Sequence, residues 1–98
     1  MFQSQSIPLD LKMVQRQGNI VSDMDGEIVM MNIDNGKYYN LGRTGGLIWE
    51  LLVTPVTVKQ LLPILTAEYD VDPAVIESDV IAFLEHLHEE GLIDYLDQ

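Results

Sequence analysis

"NGKYYNLGRTGG" (residues 35–46) divides two incompatible readings of this chain. In one, Gly36 to Thr44 is a glycine-rich loop that cradles a phosphate. In the other it is a strand between a turn and a helix start. A phosphate loop of the Walker type needs four residues between its glycines and a Lys before the Ser/Thr, so that backbone N–H groups converge on the phosphates. Here Gly36 and Gly42 are separated by five residues, and Arg43 stands where the Lys belongs. One extra residue re-aims the donors, and the phosphate reading fails. Asn35-Gly36 reads instead as a two-residue hairpin turn, "KYYNL" (37–41) as a strand, and Thr44 as the cap of a helix.

Upstream, "EIVMMNID" (27–34) is a strand, Asp25-Gly26 a second hairpin turn, and "IVSD" (20–23) and "LKMVQR" (11–16) two further strands of alternating pattern. A two-residue loop at Asn35-Gly36 sets the register: Ile33 opposite Tyr38, Asn32 opposite Tyr39, Met31 opposite Asn40, Met30 opposite Leu41. Ile28, Met30, Tyr39 and Leu41 then share one face, and Val29, Met31, Ile33 and Tyr38 the other. Both faces are apolar, whereas a small antiparallel sheet usually keeps one side polar for water. The second face is expected to be covered, from inside the domain or from outside it.

Downstream the period changes to that of helices. Leu47, Ile48, Leu51 and Leu52 form one stripe, with Trp49 and Val53 beside it, and Pro55 ends that helix. Thr57 caps a second helix, Val58 to Tyr69, in which Leu61, Leu62 and Leu65 face inward and Pro63 introduces a bend. Asp72-Pro73 opens the third with an Asp cap and Pro at the first helical position. Ile76, Val80, Phe83, Leu84 and Leu87 line its apolar face up to the stop at Gly91, and "LIDYL" (92–96) follows as an extended tail. The expected class is α+β: a winged helix-turn-helix with an N-terminal three-stranded antiparallel sheet followed by three helices. Residues 1–9 are expected to be a flexible lead-in and 10–98 the domain.

Composition narrows the function. A chain of 98 residues with 47% apolar side chains fits one packed domain. It has no run of 18 apolar residues, so no membrane span is expected, and no basic-plus-apolar signal at its start. With no cysteine there is no disulfide, and a cytoplasmic location is the default expectation. Residues 1–49 carry five acids against four cations, and residues 50–98 eleven acids against Lys59 alone. Such a field repels phosphate backbones and attracts cationic partners.

The helix from Pro73 to Glu90 holds Glu77, Asp79, Glu85, Glu89 and Glu90 and no Lys or Arg. A winged helix usually reads DNA with that element, which must neutralise phosphates, so nucleic acid is excluded as a partner. "EHLHEE" (85–90) resembles a metal cluster, yet His86 and His88 point about 200° apart on a helix and cannot share one ion. A solvated helix end is the better reading. Ser4, Ser6, Ser22 and Ser78 lack the surroundings of a nucleophile, and no carboxylate pair stands out. The chain is therefore expected to be neither an enzyme nor a carrier of a metal or other cofactor.

The remaining feature is the strand Lys37–Leu41, whose far side has no partner in this order of elements. Only Lys37 blunts it, and an open edge can accept a peptide as an added strand. "NGKYYNLGRTGGLIWELL" followed by "VTVKQLLPILTAEYDVDPAVIESDVIAFLEHLHEEGLI" resembles the PqqD-like family of RiPP recognition elements, over about Ile28 to Ile93. The wording "YYNLG…IWELL" is most similar to the stand-alone leader-binding proteins of lasso-peptide biosynthesis. Gly42 departs from the family's usual Asn after the strand Leu, and Asn40 lies two positions earlier.

The resemblance implies that the leader of a ribosomally made precursor lies antiparallel on Lys37–Leu41, in the groove between that strand and the third helix. Implied peptide-binding residues are Lys37, Tyr38, Tyr39, Asn40 and Leu41 on the strand and Val75, Asp79, Ala82, Phe83 and His86 on the helix. Asp79 is the expected charged contact, and proline at Tyr39 or Leu41 is expected to remove an edge donor. Implied partners are a transglutaminase-like leader peptidase and an asparagine-synthetase-like cyclase. The open edge can also pair weakly with a second copy. Two alternatives stay open: a PqqD-type chaperone for a radical-SAM maturase, and an acidic winged-helix module for dimerisation or regulation.

Overall fold

The computed structural model describes residues 7–96. Eight elements follow one another: β1 (Lys12–Gln15), β2 (Asn19–Met24), β3 (Glu27–Asn32), β4 (Tyr38–Leu41), α1 (Gly42–Leu51), α2 (Val58–Glu68), α3 (Pro73–Glu89) and β5 (Ile93–Leu96). The class is α+β, with five strands in two sheets. The strands β2, β3 and β4 form the expected antiparallel meander. The remaining two do not join it.

The tail expected at 92–96 is a strand, β5, and it pairs antiparallel with β1. Met13 explains why: it is fully buried, and its strand is held on the other side by Val56, whose N–H and C=O bond to Met13. Pairing with the chain's own end lets β1 bury Met13 while β5 buries Ile93. Of the nine-residue lead-in, positions 1–6 lie outside the described residues. Ile7 is buried in the core, and the Leu9 carbonyl accepts a hydrogen bond from the Lys59 N–H.

The turn at Asp25-Gly26 has both residues at positive φ (58° and 88°), the geometry that matches strand twist in a tight hairpin. The Asn35-Gly36 turn differs from expectation. Met30 faces Tyr39 and Met31 faces Tyr38, so the connection runs from Ile33 to Lys37 and not over two residues. Asparagine side chains build this longer loop. The Asn35 N–H donates to Asn32 Oδ1, the Lys37 N–H donates to Asn35 Oδ1, and Asn32 Nδ2 donates to Asn19 Oδ1 on β2. The register slips by two, which leaves every side chain on its expected face. Ile28 and Met30 are buried, while Ile33 and Tyr38 are exposed at 59% and 74%. Among the described residues nothing covers that outer face.

Helix α1 starts two residues before the expected Thr44 cap. Its N-cap, Leu41, has no side-chain hydrogen bond, and Asn40 Oδ1 instead accepts from the Gly42 N–H at 3.0 Å. The early start presses Gly46 onto β3, where an added Cβ would fall on the Ile28 side chain. Thr57 and Gln60 form a reciprocal capping box at α2, and Asp72 Oδ1 accepts from the Ala74 N–H at α3. Helix α2 ends at Glu68, one residue before the expected Tyr69, and Glu90 is the C-cap of α3. Met13, Met30, Leu52, Leu61, Leu65, Leu84 and Leu87 are all fully buried, each burial worth about 1.5–3 kcal/mol. The core thus joins both sheets and all three helices.

Candidate functional site

The meander ends at β4, and its backbone has no partner on the side away from β3 among the described residues. Which groups are open follows from the ladder. The Asn32 N–H donates to the Lys37 carbonyl, and on the other side of β3 the Ile33 N–H donates to the Gly18 carbonyl. In an antiparallel ladder hydrogen-bonded pairs alternate. Even-numbered residues of β3 therefore bond to β4: Lys37 and Tyr39 turn their backbone groups toward β3, as the Leu41 N–H does, while the Leu41 carbonyl enters helix α1, whose N-cap it is. Tyr38 and Asn40 turn theirs to the free edge. The expectation that proline at Tyr39 or Leu41 removes an edge donor is therefore corrected. Those donors belong to the β3 ladder, and the edge donors are those of Tyr38 and Asn40.

Beside the C-terminal half of β4 lies a mainly apolar cleft of about 320 Å³, bounded by α1 and α3. Leu41, Ile48, Tyr69, Val71, Ile76 and Phe83 make up much of its wall, with Asp79 and Thr44 as polar groups at its margin. Gly45 makes this shape feasible: an added Cβ would sit 3.0 Å from Phe83 Cζ and 3.3 Å from Leu41 Cβ. Any larger residue would push the ring out of its place.

The other end of β4 is tied to α3 by polar groups. The Tyr39 hydroxyl donates to Glu90 Oε1 at 2.8 Å and accepts from Asn35 Nδ2 at 3.0 Å. Lys37 Nζ lies 3.3 Å from the same Glu90 oxygen. The Tyr39 hydrogen bond, then Lys37, hold the Glu90 carboxyl below its ordinary pKa, so it is ionised at neutral pH. Partial burial, reinforced by the bond to Glu90, pushes the Tyr39 phenol up.

The sequence-derived residues divide accordingly. Leu41, Asp79 and Phe83 meet in the cleft, and Lys37 and Tyr39 meet at Glu90. His86 is exposed, one turn of α3 before Glu90. Val75 and Ala82 are exposed and do not line the cleft, and the Tyr38 and Asn40 side chains lie on the outer face of the sheet. Glu90, Thr44, Gly45, Tyr69 and Val71 were missed. The Gly45-Gly46 pair was the available signal, because paired glycines inside a helix mark close approach; Glu90 had none, being one acid among many.

The family profile for coenzyme PQQ synthesis protein D (PqqD) matches residues 27–93. The chain belongs to the PqqD family. It is a PqqD-like RiPP recognition element, and the matched segment runs from β3 through the start of β5, taking in β4, the cleft and Glu90. The structure is also similar to that of TbiB1 in complex with the TbiA(beta) leader peptide. The TM-score is 0.75 and the sequence identity 28%, over 86% of this chain and 99% of TbiB1. No curated protein matches the sequence. Among the described residues no helix is long and apolar enough to cross a membrane.

Proposed function

We propose that this PqqD-family chain captures the leader segment of a ribosomally made precursor, of the lasso-peptide class, as an added antiparallel strand on β4. It then passes the precursor to a transglutaminase-like leader peptidase and an asparagine-synthetase-like cyclase, and performs no chemistry itself. Within this reading α1, α2, α3 and the meander form a winged helix-turn-helix whose groove takes peptide instead of DNA. The observation that carries it is the open backbone of Tyr38 and Asn40 directly beside an apolar cleft.

The energetics require both parts. Two edge residues offer at most four backbone hydrogen bonds, each worth about 0.5–1.5 kcal/mol net. Ordering five peptide residues costs about 1–2 kcal/mol apiece. The ladder sets direction and register but cannot hold the peptide alone. A side chain seated in the cleft adds up to about 1.5–3 kcal/mol, and Asp79 at its margin offers a charged contact. The net charge of −11 speeds encounter with a basic leader.

The test is an amide NMR titration of the labelled protein with a synthetic lysine-rich leader peptide of a lasso-peptide precursor. Shifts at Tyr38, Asn40, Asp79 and Phe83 are expected. An intact spectrum that does not move, or moves only on α2, rejects leader capture at this groove. The PqqD match favours a second reading, a peptide chaperone for a radical-SAM maturase. Co-purification of the maturase in place of the peptidase and cyclase would select it.

A further inference from the structure

A strand added at Tyr38 and Asn40 turns alternate side chains inward, opposite Tyr39 and Leu41, because opposed residues of a ladder share a face. The inward position beside Leu41 meets the apolar cleft. The one beside Tyr39, two residues along the peptide, approaches Lys37 and Glu90, outside the apolar cleft, where Glu90 lines a separate polar pocket with Asn32, Asn35 and Arg16. There the Tyr39 hydroxyl is already engaged, as donor to Glu90 Oε1 and acceptor from Asn35 Nδ2. Lys37 also approaches Oε1, while Glu90 Oε2 has no hydrogen-bond partner among the described residues. The two sides of this ion pair are held unequally. The Glu90 side chain is 24% exposed and anchored by Tyr39, whereas that of Lys37 is 62% exposed. Exposed lysine pairs contribute little, so Lys37 is readily exchanged for another cation.

We propose that Glu90 selects a lysine or arginine of the bound peptide, two residues from the apolar side chain seated in the cleft, and that Lys37 holds the carboxylate only until that cation arrives. The proposal rests on the strand-addition reading and deepens it. It makes Glu90 a specificity-determining residue and Lys37 a competitor of the peptide. A second lysine approaching an unrelieved Lys37 would be repelled, so exchange, and not addition, is the expected event.

The test uses the same synthetic leader with each position in turn set to lysine and to norleucine, measured by fluorescence anisotropy on wild type, Glu90→Gln and Lys37→Met. At one position, two residues from the apolar anchor, norleucine in place of lysine should weaken wild type about tenfold, from loss of a charge-assisted hydrogen bond. The same replacement should leave Glu90→Gln nearly unchanged. Lys37→Met should bind the lysine peptide more tightly than wild type does. Equal losses for all peptides in Glu90→Gln, or weaker lysine-peptide binding by Lys37→Met, would overturn the proposal. Failure of strand addition looks different: the Tyr38 and Asn40 amides would then not respond to the leader in wild type. Shifts at those amides without coupling to Glu90 would sink only the present inference.

Discussion

Proline at Tyr38 separates the edge-strand mechanism from every account based on side chains. The Tyr38 N–H faces the free edge, and its side chain is 74% exposed on the outer face, so the substitution removes little packing. Proline is tolerated on edge strands where its missing donor would face solvent, so the fold should survive. A bound peptide carbonyl would lose its partner and stay desolvated, at a cost of about 1–3 kcal/mol. Affinity should fall about 5- to 150-fold. The assay is anisotropy with fluorescent leader, with circular dichroism to check the fold and Tyr38→Ala to subtract any side-chain effect. Tyr39→Pro is the contrasting variant. Its N–H belongs to the β3 ladder and its hydroxyl to Glu90, so it should destabilise the domain itself. A folded Tyr38→Pro protein that binds leader as tightly as wild type would refute the assignment of the free edge.

Three further outcomes are expected. Gly46→Ala drives a methyl into Ile28 and should destabilise by about 1–3 kcal/mol, seen as a lower urea midpoint; an unchanged midpoint would mean α1 can retreat from β3. The Glu90 carboxyl is depressed by Tyr39 and Lys37, so its contribution to stability is present above its ordinary value of 4.5 and lost as pH falls through the folded value. The melting temperatures of wild type and Glu90→Gln should accordingly differ at neutral pH and converge as pH falls well below 4.5; a pH-independent gap would assign the effect to packing. Leader association should slow severalfold between about 50 and about 500 mM salt, because residues 50–98 carry most of the acidity, and a flat rate would remove charge steering.

Several parts of the molecule were legible in the sequence because local chemistry governs them. Asp72-Pro73 and Thr57 specify helix starts whatever lies around them, and both cap as read. Asp25-Gly26 takes the positive φ values its hairpin requires. Period-two alternation assigned each residue of β3 and β4 to its face, and that survived the two-residue shift in register because faces repeat every two residues. The apolar stripe of α3 gave Ile76, Val80, Leu84 and Leu87 as core.

What the sequence left open depended on groups far apart in the chain. Nothing near 92–96 says that β5 will pair with β1, since the reason is Met13, some eighty residues earlier, needing cover. The length of the loop before β4 is set by asparagine side chains, one of which reaches across to Asn19. The direction of each edge amide follows from the observed pairing of β4 with β3, and only that pairing moved the open donors from Tyr39 and Leu41 to Tyr38 and Asn40. Glu90 was one of sixteen acidic residues until folding brought Tyr39 to within 2.8 Å of it, across fifty-one positions of chain. Local sequence fixes the Thr57 and Asp72 caps, the Asp25-Gly26 turn and the strand faces because their energies come from neighbours; the groove exists only where distant segments meet, and its geometry is a property of the packed chain.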